Sequence, residues 1–218
     1  MPFRVREDLY FCVRAGQAIF LDAREDRYFC LPHHADQAFQ RYVSDADCDR
    51  GDPGFQLLLS RSVLVEGEPS IATRPITVPT TELDLGAIRA RPAEWAIAAI
   101  ALLRAKADFR FRSLRTILLG LGSPGSGPAT LDDVELERVR NVAAALNATA
   151  PLFRRWDQCL PRSVAFKRCC TRADVAATFT IGVTMNPFAA HCWVQNDVTV
   201  LNDTVEHVRL FTPIFAVS

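Results

Sequence analysis

A proline-rich stretch at residues 69–91 divides the chain into two parts with different sequence patterns. It contains three prolines, scattered threonines and few large apolar side chains, a composition typical of a linker. The 218 residues of the chain are enough for one large domain or two small ones. We therefore expect two domains, at residues 1–80 and 81–218.

The first part of the sequence predicts a small antiparallel sheet. Residues 10–13, 18–22 and 27–31 are rich in aromatic and aliphatic side chains, and turn-forming residues separate them. This spacing is typical of a three-stranded meander. Pro32 then begins a helical pattern that continues to about residue 43, and residues 62–65 predict a further strand.

The second part of the sequence begins with helical patterns and ends with strand patterns. Helices are predicted over residues 92–103, 109–121, 130–146 and 160–170. Residues 176–183 and 189–201 predict strands, and Asn196-Asp197 is a hairpin signal within the second of them. The order of these elements indicates an α+β fold.

The overall composition excludes several classes of protein. Twenty-five basic residues balance 25 acidic ones, so the chain lacks the basic surplus of a general nucleic-acid binder. No stretch reaches the roughly 18 consecutive apolar residues of a membrane span. Charged residues interrupt the N-terminus where a signal peptide would be apolar.

The cysteine pattern favours the cytoplasm and excludes a common type of metal site. Seven is an odd number of cysteines, and without a secretory signal it suggests reduced thiols. No two cysteines or histidines have ligand spacing with a second pair downstream, so we expect no zinc site.

Cys159 is the best candidate for a nucleophile because it precedes the predicted helix at residues 160–170. The N-terminus of a helix lowers the pKa of a thiol and stabilises an oxyanion. Cys169 and Cys170 lie at the opposite end of that helix, where the dipole disfavours a thiolate. Cys192 is adjacent to His191, but neighbouring strand residues point to opposite faces. The alternative is that Cys159 is a small buried hydrophobic residue.

His191 and Asp203 are the candidates for a general base and the group that orients it. A two-residue loop at Asn196-Asp197 would place Asn202 opposite His191. A three-residue loop would place Leu201 opposite His191, with Asp203 diagonally on the same face. The second register, or a strand that ends at Asn202, would bring Asp203 to the imidazole. The alternative for His191 is packing within a strand.

Three segments of the second part resemble the lasso peptide maturation B proteins of the transglutaminase-like cysteine protease superfamily. The segments are CLPRSVAF at residues 159–166, IGVTMNPFAAHCWV at 181–194 and VLND at 200–203. The resemblance implies a papain/transglutaminase-like domain in which Cys159 is the nucleophile, His191 the base and Asp203 the orienting residue. Cys192 departs from the family pattern, in which a small residue such as alanine is more common.

The first part contains a segment that is similar to a small peptide-recognition domain. The segment is LDAREDRYFCL at residues 21–31, and the domain is a winged-helix-like module related to the PqqD-like chaperones of cofactor biosynthesis. This resemblance implies that a sheet edge binds the leader of a precursor peptide by strand addition. Tyr28, Phe29 and Cys30 are the candidate residues of that edge, although strand alternation places at least one of them in the core.

Together the two resemblances imply a leader peptidase. It would cleave the leader–core amide of a lasso precursor through a thioester, and an asparagine-synthetase-like cyclase would then close the macrolactam ring. Members of this family have been linked to ATP dependence, but the sequence contains no recognisable nucleotide site, and we assign neither a cofactor nor a metal. The alternatives are a transglutaminase-type acyl transferase and a non-catalytic precursor scaffold.

Overall fold

The proline-rich stretch coincides with a division of the chain into two units, Met1–Pro75 and Ile76–Ser218. This division lies five residues before the domain boundary expected from the sequence. The computed structural model describes residues 2–45, 49–68, 76–86, 88–122, 131–150 and 159–218.

The described residues of the first unit form five strands and two helices. The elements are β1 (Phe3–Val5), β2 (Leu9–Arg14), β3 (Gln17–Asp22), β4 (Arg27–Cys30), α1 (His33–Asp45), α2 (Pro53–Ser60) and β5 (Leu64–Glu66). Strands β2, β3 and β4 form the antiparallel meander that the sequence predicts. Strand β1, which the sequence analysis did not identify, pairs with β5.

Aromatic side chains fill the core of the first unit. Phe20 on β3 is fully buried and packs edge-on against Phe39 of α1, with 4.8 Å between ring centroids. It also stacks on Phe29 of β4 at 5.1 Å. Strand β3 is central and buried along most of its length, whereas β4 pairs with β3 alone within the described residues and forms one edge of the sheet.

The second unit combines five strands with five helices among its described residues. They are β6 (Thr81–Glu82), α3 (Pro92–Phe111), α4 (Leu114–Leu119), α5 (Asp133–Ala148), α6 (Cys159–Arg172), β7 (Thr178–Thr184), β8 (Ala189–Asn196), β9 (Thr199–Val200), α7 (Val205–Val208) and β10 (Thr212–Val217). The strands form one mixed sheet in the order β10-β7-β8-β9-β6, in which only β6 and β9 are parallel.

Helix α6 packs against β8, and α3 and α5 pack against α6. The apolar residues of α6 explain this position, because Val164, Ala165 and Phe166 are buried in one continuous run. Helix and strand together therefore hold the start of α6 at a fixed place on the sheet. None of the described helices is long and apolar enough to cross a membrane.

The predicted linker at residues 69–91 extends too far, because its second half belongs to the sheet of the second unit. The backbone N–H of Thr80 donates to the carbonyl of Val198 at 2.8 Å, and that of Leu83 donates to Val200 at 2.8 Å. Strand β6 was not predicted, because it is only two residues long, has no alternating pattern and follows a proline-rich segment. Strand β10 and helix α7 were also missed from the sequence.

The side chain of Gln195, on the central strand β8, hydrogen-bonds to the segment before β6. Its side chain is buried, accepts from Trp193 Nε1 at 2.6 Å, and donates to the carbonyls of Thr77 at 2.8 Å and Asp197 at 2.9 Å. These three bonds join β8, its turn and the start of the unit.

We expect Gln195→Ala to lower the free energy of unfolding of the second unit by about 3 kcal/mol, because it leaves buried polar partners unpaired. Chemical denaturation followed by tryptophan fluorescence measures this unit, since all three tryptophans lie within it. The exposed Glu137→Ala on α5 is the control and should change stability by less than about 0.5 kcal/mol. Equal stability of the two variants would contradict the role of Gln195.

Candidate active site

Cys159 is the first residue of α6, at the positive end of a 14-residue helix. Its pKa is lowered to about 4, chiefly by a hydrogen bond from the Cys192 thiol. Burial opposes this change, while the hydrogen bond and positive charge of His191 and the backbone N–H of Cys192 support it. Cys159 is therefore a thiolate at neutral pH.

His191 lies on β8 between the thiolate and a carboxylate. Its Nε2 is 2.5 Å from Oδ2 of Asp203, which leaves Nδ1 for the hydrogen bond with Cys159. Burial lowers the pKa of His191, but the hydrogen bonds to Asp203 and Cys159 outweigh it and raise the pKa to about 9. The imidazole is thus protonated opposite the thiolate, and the two charges stabilise each other.

Asp203 reaches His191 from a bend after β9, not from a strand position. The pairs Gln195–Val200 and Asn196–Thr199 show that Asp197 and Val198 form the turn of the hairpin. Both registers expected from the sequence are therefore wrong, because each had placed the turn one or two residues too early. Strand β9 ends at Val200, and the chain then leaves the sheet towards the imidazole.

The short strand β9 leaves part of the edge of β8 open. The N–H and carbonyl of Val194 still bond to the segment after β9, through the Asn202 side chain at 2.7 Å and the N–H of Leu201 at 2.9 Å. Cys192 is the next residue along this edge, and its N–H donates to Cys159 instead of to a strand. Cys159 occupies a place that a longer hairpin would fill.

The expectation that Cys192 points away from the site is wrong. Its thiol is buried and hydrogen-bonds to Cys159, although His191 contacts the same sulfur. Strand alternation places two neighbouring side chains on opposite faces of a sheet, but a group beside the edge of the strand can reach both faces. Because Cys159 sits at the open edge of β8, it can contact both residues.

His207 is a member of the cluster that sequence reasoning missed. Its Nδ1 lies 3.1 Å from both carboxylate oxygens of Asp203, and its ring centroid is 4.4 Å from that of His191. Helix α7 places His207 four residues after Asp203. This i, i+4 spacing indicates a contact only where the chain is helical, so it could have identified His207 only if α7 had been predicted.

Aromatic packing fixes the plane of the His191 ring. The ring centroid of Phe211 is 5.1 Å away, and that of Trp193 is 6.3 Å away in a stacked orientation. Gly182 lies opposite His191 in the β7–β8 pairing, and a Cβ there would come within 2.7 Å of the Trp193 ring. Glycine at this position permits the close approach of Trp193.

His191, Asp203 and His207 each offer a metal-ligand atom, and these atoms lie within 4.8 Å of one another. Two imidazoles and a carboxylate are suitable ligands for zinc. The hydrogen bonds of Asp203 to both histidines account for the cluster without an ion, so we assign it to proton chemistry.

Cys169 and Cys170 lie near the end of α6 opposite Cys159. Burial raises the pKa of Cys169 to about 11 and that of Cys170 to about 12, so both remain neutral thiols. Tyr28, Phe29 and Cys30 lie on β4 of the first unit.

Residues 94–216 match the family model described as the Transglutaminase-like superfamily. The match covers more than half of the chain and includes all three residues of the Cys159–His191–Asp203 cluster. The chain belongs to the transglutaminase-like superfamily. No curated protein and no solved structure matches it significantly. The second unit is therefore a transglutaminase-like domain, in a superfamily of cysteine peptidases and acyltransferases.

We expect iodoacetamide to alkylate Cys159 at a rate that rises near pH 4 and is then nearly constant to pH 9, because the thiolate forms at about pH 4. An ordinary thiol would instead become more reactive as the pH approached its pKa near 9. Mass spectrometry of the alkylated peptides over a pH series measures the rate.

The Cys159→Ser variant is the control for this profile. It should lose the fast phase, while slow alkylation of Cys169 and Cys170 above pH 9 continues because burial raises the pKa of both thiols. A wild-type rate that climbed steadily between pH 6 and 9 would rule out the thiolate–imidazolium pair.

Proposed function

We propose that this chain is a cysteine peptidase that binds the leader of a lasso peptide precursor and cleaves the leader–core amide. The observation that carries this proposal is the half-buried Cys159–His191 pair, in which Asp203 holds the imidazole at 2.5 Å. The resemblance of the CLPRS, PFAAHCWV and VLND segments to lasso peptide maturation proteins supplies the substrate class.

The geometry supports a two-step hydrolysis. The Cys159 thiolate attacks the carbonyl carbon of the amide, and the N–H groups at the start of α6 stabilise the resulting oxyanion. His191 then donates its Nδ1 proton to the departing amine of the core, which leaves the leader as a thioester. His191 next takes a proton from water, the hydroxide releases the leader acid, and the thiolate is restored.

In this proposal the first unit captures the leader by strand addition to the edge of β4. Phe29 is stacked on Phe20 and contributes to the core. By alternation Tyr28 and Cys30 lie on the other face of the strand, where they are partly exposed. The position of β4 at an edge of the sheet, as far as the structure describes the chain, and the side chain of Tyr28 are the features that suit a bound leader.

The proposed reaction takes place in the cytoplasm, where the freed core amine passes to an asparagine-synthetase-like cyclase. Six cysteines in the described part of the chain are free thiols, in agreement with a reducing compartment. The family link to ATP remains an expectation, and none of the chemistry derived from Cys159, His191 and Asp203 requires a nucleotide.

The same thioester would also serve an acyl transferase. The difference lies in the acceptor, because water gives two shorter peptides and an amine gives a cross-linked or amidated product. Mass spectrometry of the precursor after incubation distinguishes these two reactions.

We expect Cys159→Ala to abolish precursor cleavage without weakening precursor binding, because the variant removes only the nucleophile. The assay combines mass spectrometry of a synthetic precursor with fluorescence anisotropy of its labelled leader. Cys169→Ala is the matched control, since Cys169 lies on the same helix and is a neutral thiol, and it should retain cleavage. Normal processing by the Cys159→Ala protein would refute the peptidase assignment.

We expect Tyr28→Ala in the full chain to weaken leader binding about ten-fold, because it removes an aromatic contact at the proposed edge. Val13→Ala is the control, since Val13 is an exposed apolar residue on β2 at the other edge of the same sheet. Anisotropy titrations of both variants provide the comparison. If only Val13→Ala weakened binding, the leader would occupy the opposite edge.

A further inference from the structure

Two polar side chains outside the triad connect the three segments that carry it. Ser163 on α6 is fully buried, and its Oγ donates to the carbonyl of Cys192 at 2.8 Å. The same Oγ accepts from Nδ2 of Asn202 at 3.0 Å. Oδ1 of Asn202 accepts from the N–H of Val194 at 2.7 Å.

Each part of this network lies next to a residue of the triad. Ser163 is one helical turn after Cys159, so the two side chains share a face of α6. Cys192, whose carbonyl accepts from Ser163, directly follows His191. Asn202 directly precedes Asp203. The network therefore connects the helix of the nucleophile, the strand of the base and the bend of the carboxylate.

We propose that Ser163 and Asn202 are positioning residues that set the placement of Cys159, His191 and Asp203 relative to one another. This inference rests on the proposed peptidase chemistry only for what the triad does. The placement itself follows from hydrogen bonds within the second unit.

The hydroxyl of Ser163 makes an uncommon bond for a residue within a helix. The hydroxyl of a serine within a helix ordinarily points to solvent or donates to a carbonyl of the preceding turn. Here the hydroxyl of Ser163 donates instead to the carbonyl of Cys192 on β8, which the short strand β9 does not reach. Cys159 and Ser163 thus satisfy the N–H and the carbonyl of the same residue, Cys192, and dock successive turns of α6 on one point of the edge.

Asn202 performs the corresponding task for the carboxylate. Its side-chain oxygen takes the N–H of Val194, which would otherwise bond to a continuing strand. This replacement lets the main chain leave the sheet after Leu201 and turn Asp203 towards His191. Because the amide also donates to Ser163, the bend is tied to the helix of the nucleophile.

The test uses Ser163→Ala and Asn202→Ala in the full chain, and measures alkylation of Cys159 against pH. We expect both variants to remain folded and to alkylate about ten-fold more slowly at pH 6, because a displaced His191 and Cys192 raise the thiol pKa. The double variant should be no slower than the slower single variant, since both residues act through one network.

Asn196→Ala is the matched control for loss of a buried hydrogen bond. Asn196 is the last residue of β8 and is buried, and its amide donates to the carbonyl of Ala176 at 2.8 Å, away from the triad. This variant should lower the melting temperature as much as Asn202→Ala and leave the alkylation profile unchanged.

A wild-type profile in folded Asn202→Ala protein would overturn the proposal, as would an equal change of profile in the Asn196→Ala control. If the Ser163→Ala variant does not fold, the alkylation profile of the Asn202→Ala variant alone tests the proposal. Alkylation needs no precursor, so the result is independent of the proposed function. A shifted profile would stand even if Cys159→Ala still cleaved the precursor.

Discussion

The thiolate of Cys159 and the imidazolium of His191 depend on each other, and the second unit is arranged so that they meet. Burial alone would keep both groups neutral, since it raises the pKa of a thiol and lowers that of a histidine. Cys159 is charged because the Cys192 thiol and His191 both hydrogen-bond to it, and His191 is charged because Asp203 and Cys159 both hydrogen-bond to it. A displacement of α6 along β8 would weaken both charges together, so the packing of this helix on this strand determines the chemistry of the site.

The sheet contributes to the site through an interruption. Strand β9 has only two residues, and beyond it the polar groups of β8 bond to side chains and to the start of α6. Backbone groups in a continuous sheet would be occupied by a neighbouring strand. The incomplete hairpin therefore gives a largely buried strand one stretch of accessible hydrogen-bonding groups, and Cys159 lies there.

Cys159, His191 and Asp203 could be chosen as candidates from the sequence because they lie in recognisable segments, and the structure brings the three side chains together. The strands of the meander and the helix of the nucleophile were also predictable, since their apolar patterns are long enough to have a period. The register of the hairpin could not be predicted, because the composition of a sequence is the same whether the turn begins one residue earlier or later. Strand β6 and helix α7 are too short to show a period, and His207 could be recognised only once α7 was known.

Strand β6 also determines where this polypeptide could be divided. The residues from Ile76 to Leu83 precede the first long helix of the transglutaminase-like domain, yet they hydrogen-bond to β8, β9 and their turn. Glu82 in addition accepts from the N–H of Val205 at the start of α7. If the two units were produced as separate polypeptides, the segment from Ile76 to Leu83 would have to belong to the polypeptide of the second unit. A cut at residue 91, the end of the predicted linker, would remove an edge strand and a support of the helix that carries His207.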